Sequence, residues 1–121
     1  MRKAFFMVAA AAAMLATGFT ACKSHSPGQP KEVDVYVAGY AKSGVKDVAK
    51  VWKNGKELYE LTDGSKDAGA FSVFVVGGDV YTVGYELGSE YVAKMWKNKS
   101  ATDLTDGSKG AYALSVFVAG S

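Results

Sequence analysis

From residue 34 onward the chain states one passage twice, and the two copies must follow equal strand paths for their agreement to have a structural cause. DVYVAGY at 34 to 40 returns as DVYTVGY at 79 to 85, and VAKVWKN at 48 to 54 returns as VAKMWKN at 92 to 98. LTDGSK at 61 to 66 recurs unchanged at 104 to 109, and SVFV at 72 to 75 recurs at 115 to 118. The period is about 44 residues and shortens slightly from motif to motif, so the length changes fall in the loops or edges between them. A unit of this length with four strand-like runs has the form of a stacked or radial β-repeat.

In the first unit Val33, Val35 and Val37 alternate with Asp34, Tyr36 and Ala38, the period of a strand that continues to Tyr40. Residues 47 to 53 form a second run, Asn54-Gly55 is a two-residue hairpin signal, and residues 56 to 61 form the third run. Thr62 to Ser65 reads as a turn, because Asp63 can bond its own backbone and Gly64 supplies positive φ; residues 70 to 76 are the fourth run. The second unit repeats the order over 79 to 87, 90 to 97, 100 to 104 and 111 to 119, with Asn98-Lys99 at its hairpin. The expected fold is therefore all-β, with no helix after residue 33. It consists of two four-stranded antiparallel blade-like repeats, at 33 to 78 and 79 to 121, forming a partial β-propeller. The alternative is an eight-stranded β-sandwich or barrel. The fourth runs, AFSVFVV and YALSVFVA, are apolar on both faces apart from one serine each, so both faces want cover at about 25 cal/mol per Å² of apolar area.

The residues before this domain read as an address. Arg2 and Lys3 precede an Ala-rich apolar run from Ala4 to Ala16, too short for a comfortable membrane span, which makes residues 1 to 21 a secretory signal. Cys22, the only cysteine, stands where that signal ends. Phe19-Thr20-Ala21-Cys22 resembles the bacterial lipoprotein lipobox, with Phe19 where Leu is usual, and the resemblance implies that Cys22 becomes the lipid-modified first residue. The alternative is an ordinary signal cleaved near Thr17-Gly18 or Thr20-Ala21, leaving a stray thiol. Residues 22 to 32 hold both prolines and the only histidine without any apolar period, the composition of a flexible tether. Arg2 and Lys3 leave with the signal, so the remaining chain balances 12 acidic residues with as many basic ones and shows no basic cluster for nucleic acid.

The ordered set DVYVAGY, VAK-x-WKN, LTDGS and SVFV resembles tandem-repeat lipoproteins of Gram-negative bacteria, whose units look like propeller blades. The resemblance runs from Asp34 to Ser121. It implies blade-like sheets and a lipid-anchored place in the cell envelope, at the outer membrane, with palmitate on the protein; it assigns no catalytic or ligand residue. Two blades cannot close a ring, and two stacked sheets leave two apolar outer faces. Three resolutions stand open: a homo-oligomer, a remnant of a longer gene, or repacking as a sandwich or barrel.

His25 lies in the tether without a partner to orient it, which argues against a Ser-His-Asp or Cys-His site, and zinc would need several His or Cys ligands. No metal and no cofactor is expected. Asp63 and Asp106, like Asp34 and Asp79, recur at equivalent places; paired acids can hydrolyse glycosides, but a residue kept in both copies is more simply a turn former. Trp52 and Trp96, with Tyr40 and Tyr85, could form an aromatic platform for sugars or peptides, and Tyr36 and Tyr81 recur beside them. The same rings could equally fill a β core. The expected function is that of a membrane-tethered, non-catalytic binding or interaction module. The alternatives are a glycan-active enzyme using the repeat carboxylates and a vestigial fragment. Cys22→Ala is expected to move the protein from the membrane fraction to the soluble periplasmic fraction; persistence of the variant in the membrane would contradict lipidation at Cys22.

Overall fold

The computed structural model describes residues 32 to 120, and the signal at 1 to 21, Cys22, His25 and nearly all of the tether lie outside them. The described residues are all-β with no helix. Seven strands follow one another: β1 (Tyr36–Ser43), β2 (Lys46–Lys53), β3 (Lys56–Glu60), β4 (Ala68–Val76), β5 (Asp79–Leu87), β6 (Tyr91–Lys97) and β7 (Ser100–Asp103). They form two antiparallel sheets, ordered β1-β2-β3 and β4-β5-β6-β7, and the sheets do not close into a barrel.

The sheets do not respect the boundary between the two sequence copies. The fourth run of the first copy, β4, pairs with β5 of the second copy rather than with β3. Gly77 and Gly78 explain this locally: φ values of 58° and 89° close a two-residue hairpin whose turn matches the strand twist. The chain instead leaves β3 through the Thr62 to Asp67 segment, where Asp63 Oδ1 accepts from the Ser65 N–H at 2.9 Å and from the Ser65 hydroxyl at 2.7 Å. Asp106 and Ser108 repeat both bonds at 2.9 and 2.7 Å. The expected eighth strand is a correction: residues 111 to 119 join no sheet among the described residues. The first sheet has three strands where four were expected, because the fourth run of its copy, β4, joins the second sheet.

The hairpin at Asn54-Gly55 forms as the dipeptide demands, with φ of 54° and 84°. At the equivalent Asn98-Lys99 only Asn98 takes positive φ, at 57°. Each Asn also ties its hairpin to the start of the first strand of its copy. The Val35 N–H donates to Asn54 Oδ1 at 2.8 Å and Asn54 Nδ2 donates to Asp34 at 2.9 Å. Asn98 makes the same two bonds with Val80 and Asp79, at 3.0 and 3.2 Å. These polar clasps recur because each copy needs its three-strand meander closed in the same way.

The core lies between the sheets. Ala49 and Val51 on β2 and Leu61 just after β3 meet Ala68 and Ala70 on β4, Val80 on β5 and Trp96 on β6. Tyr36, Ala38 and Tyr59 cover it from one side and Val73 and Val75 from the other. β4 can lie close because two glycines remove Cβ at its crossing. A Cβ on Gly84 would stand 1.9 Å from the Gly69 carbonyl oxygen, a backbone atom that cannot swing away. One buried group is unpartnered among the described residues, the Thr82 hydroxyl.

Two substitutions check this packing. Gly84→Ala is expected to destabilise by more than about 3 kcal/mol in urea unfolding, since backbone must move to admit the methyl. Thr82→Val, which installs the residue type found at the equivalent position 37, removes a buried orphan donor and is expected to stabilise by about 1 kcal/mol.

Candidate functional site

Four rings gather on the face of the second sheet that points away from the first. Tyr85 on β5 and Tyr91 on β6 have centroids 5.2 Å apart, nearly edge-on at 74°. Tyr112, from the unpaired segment, sits 4.7 Å from Tyr91 and 5.5 Å from Tyr85. Phe71 adds a fourth ring 5.5 Å from Tyr85. Such tilted and edge-on pairs place ring edges against ring faces, the favoured arrangement of aromatic quadrupoles. With Leu114 they line an open depression of about 330 Å³ in which Phe71, Tyr112 and Leu114 are exposed. Burial pushes the Tyr85 phenol up, and the nearby Asp47 carboxylate and the Tyr91 phenol act in the same direction. Tyr85 therefore stays a neutral donor at physiological pH.

A second depression, of about 390 Å³, opens between the sheets beside Leu61, Thr62, Asp63, Lys94 and Trp96. Its charges are already matched. Lys94 Nζ lies 2.8 Å from Glu86 and 3.1 Å from Asp103. Partial burial opposes the Lys94 charge, but the bonds to those two carboxylates outweigh it and hold the ammonium above its usual range. A group so satisfied is a poor base and a poor anion receptor.

The carboxylates singled out by repetition are bound up in turns and clasps. Asp63 and Asp106 accept from Ser65 and Ser108 as described, and Asp34 accepts from Asn54 with Lys53 Nζ 3.6 Å away. Asp79 accepts from Asn98, with Lys97 at 3.9 Å. Among the described residues no three His, Cys, Asp or Glu side chains cluster as a metal site would need. The four aromatic residues named from the sequence do not come together. Trp96 is sealed in the core and presents no surface; Trp52 is half-buried with its ring against Gly39; Tyr40 is exposed on β1; only Tyr85 belongs to the ring cluster.

Tyr91 and Tyr112 were not legible as site residues, yet a signal was present. They stand where the copies disagree: Tyr91 replaces Asp47, and Tyr112 replaces Gly69. The shared Asn, Asp-Gly-Ser and Val-Ala positions close hairpins, form turns and fill the core, whereas residues peculiar to one copy are free to serve something else. No family model, curated protein or solved structure matches the chain, so the reading of this site rests on its own geometry.

The hydrogen-bonded carboxylates give a pH dependence. Asp34, Asp63 and Asp106 are held below the usual 3.8, Asp34 chiefly by the Asn54 amide, Asp63 by the Ser65 hydroxyl and Asp106 by the Ser108 N–H. Their contribution is complete above 3.8, where the unfolded carboxylates are also ionised, and it is lost as pH falls through the lower folded values. The thermal unfolding midpoint is expected to be flat from neutral pH down to about 5 and to fall below about 4, and Asp63→Asn with Asp106→Asn should flatten that acid limb.

Proposed function

We propose that this chain is a lipid-anchored protein of a Gram-negative cell envelope whose repeat domain is a non-catalytic binding module. The observation that carries the reading is the Phe71, Tyr85, Tyr91 and Tyr112 cluster, in which Phe71 and Tyr112 are exposed and only Tyr85 has a like residue, Tyr40, in the other copy. Its ring faces and phenol hydroxyls suit a ligand with a flat apolar face and polar edges, such as a pyranose ring of a glycan or a proline-rich or aromatic peptide. Membrane attachment at Cys22 follows from the sequence expectation and would hold the domain close to envelope polymers. The engagement of the recurrent aspartates in turns and clasps supports binding without hydrolysis over the glycan-active enzyme.

The test is calorimetric titration of the full chain with chitohexaose and with a proline-rich decapeptide, alongside chromatography of each probe after incubation. Binding of at least one probe is expected, weakened about tenfold or more by Tyr112→Ala, which deletes one exposed ring and leaves the unfolding midpoint nearly unchanged. Neither probe binding, or cleavage of chitohexaose, would overturn the reading, the second in favour of an enzyme.

A further inference from the structure

The junction between the two copies is a template for what the outer ends of the domain can bind. Inside the chain, β4 fills the free edge of β5 and lays one face on the first sheet, with Val73 opposite Thr82 and Val75 opposite Val80. At the ends, the equivalent parts stand apart among the described residues. β1, the copy of β5, is a sheet edge paired only with β2. Residues 111 to 119, the copy of β4, form no ladder with any described strand, and their Ala111 and Ala113 N–H groups bond the Tyr91 and Gly84 carbonyls.

Four observations show that these two surfaces complement each other as β4 and β5 do. Exposure follows the junction, not the residue type: Val80 is 3% exposed but its twin Val35 is 55%, and Leu61 is 8% exposed but its twin Leu104 is 50%. The free segment also already alternates as a strand should. Ala111, Ala113, Val116 and Val118 are half-buried, at the positions that Ala68, Ala70, Val73 and Val75 hold in β4, while Tyr112, Leu114 and Phe117 are exposed.

The third observation is Gly39. Its twin Gly84 must lack Cβ because the β4 backbone crosses over it, whereas a Cβ on Gly39 would meet only the Trp52 ring, at 3.1 Å. A glycine inside a strand weakens it unless another backbone approaches, and among the described residues no backbone approaches Gly39. The fourth is the state of the edge itself. Lys42, the one charged residue of β1, lies beyond Ala41 at the far end of the strand and bonds Asp47 at 2.9 Å, so positions 36 to 41 of the edge carry no lysine against added strands.

We infer that residues 111 to 119 of one copy add to the β1 edge of a second copy, in the register of β4 on β5. That register sets Val116 opposite Val37 of the second copy, Val118 opposite Val35, and Ala113 over Gly39. The second copy then gains a four-stranded sheet and covers Ala93, Met95 and Leu104 of the first, the twins of Ala49, Val51 and Leu61, while the ring cluster stays at the rim, as Tyr40, the twin of Tyr85, stays 54% exposed at the junction. The contact is head-to-tail, with different surfaces on the two partners, so it repeats into rings or longer arrays rather than stopping at a two-fold dimer.

Directly opposed residues of an antiparallel pair have Cα atoms about 4.5 to 5.5 Å apart, within disulfide range. The test therefore uses full-length chains carrying Val37→Cys or Val116→Cys, differently tagged and co-expressed in the oxidising envelope. The mixed disulfide is expected roughly tenfold above the dimer formed by either variant alone, because only the mixture places two thiols at opposed positions. Moving the second cysteine to Ser115, which points to the other face, should return the yield to background. Val37→Lys, at an exposed edge residue that the fold can spare, should abolish association while leaving the unfolding transition in place. Equal cross-linking by the mixture and by single variants, equal yield at 115 and 116, or undiminished association of Val37→Lys would each overturn the assignment. None of these outcomes depends on ligand binding at the ring cluster.

Discussion

The domain depends on β4 being shared between the two sequence copies. It belongs to the first copy by sequence, to the second sheet by hydrogen bonding, and to the inter-sheet core by its Ala68, Ala70, Val73 and Val75 face. A short antiparallel sheet with one apolar face gains little unless something covers that face. Here β4 completes one sheet and covers the other, which joins two meanders into one cooperative body. The close approach at Gly84 and Gly69 is the geometric condition for this, since any side chain at position 84 would meet backbone.

Much of this was readable from residues. Asn54-Gly55 specified a hairpin, Asp63-Gly64-Ser65 specified a turn, and the apolar fourth runs showed that both of their faces need cover. The sequence boundary misled at one point. The copy boundary assigns β4 to the first three strands, but Gly77-Gly78 between two strand-like runs is a hairpin signal in its own right and joins β4 to β5 across that boundary. The repeat says that two segments are alike but not where one structural unit ends, because a repeat can be cut at any phase.

The candidate site was less legible for a physical reason. Trp52 and Trp96 occupy equivalent strand positions, but one is half-buried at an outer face and the other sealed at the junction, so their accessibility is set by what stacks on each sheet. Tyr91 and Tyr112 come together only because the 111 to 118 segment lies across the second sheet, held by the Ala113 N–H to Gly84 carbonyl bond at 3.2 Å and the Ala111 N–H to Tyr91 carbonyl bond at 2.9 Å. Proximity of that kind is written in tertiary contacts. The pattern that hinted at it was disagreement between copies, as the shared positions are taken up by clasps, turns and core.

The central claim, that β4 welds the two copies into one unit, is tested most directly by native-state hydrogen exchange. The slowest amides are expected along the β4 and β5 ladder, from Ala70 to Val76 and from Val80 to Gly84, with β2 of the first sheet losing protection in the same opening as β6 of the second. Protection of β1 to β3 that survives the opening of β4 and β5 would show two independent units and contradict the account.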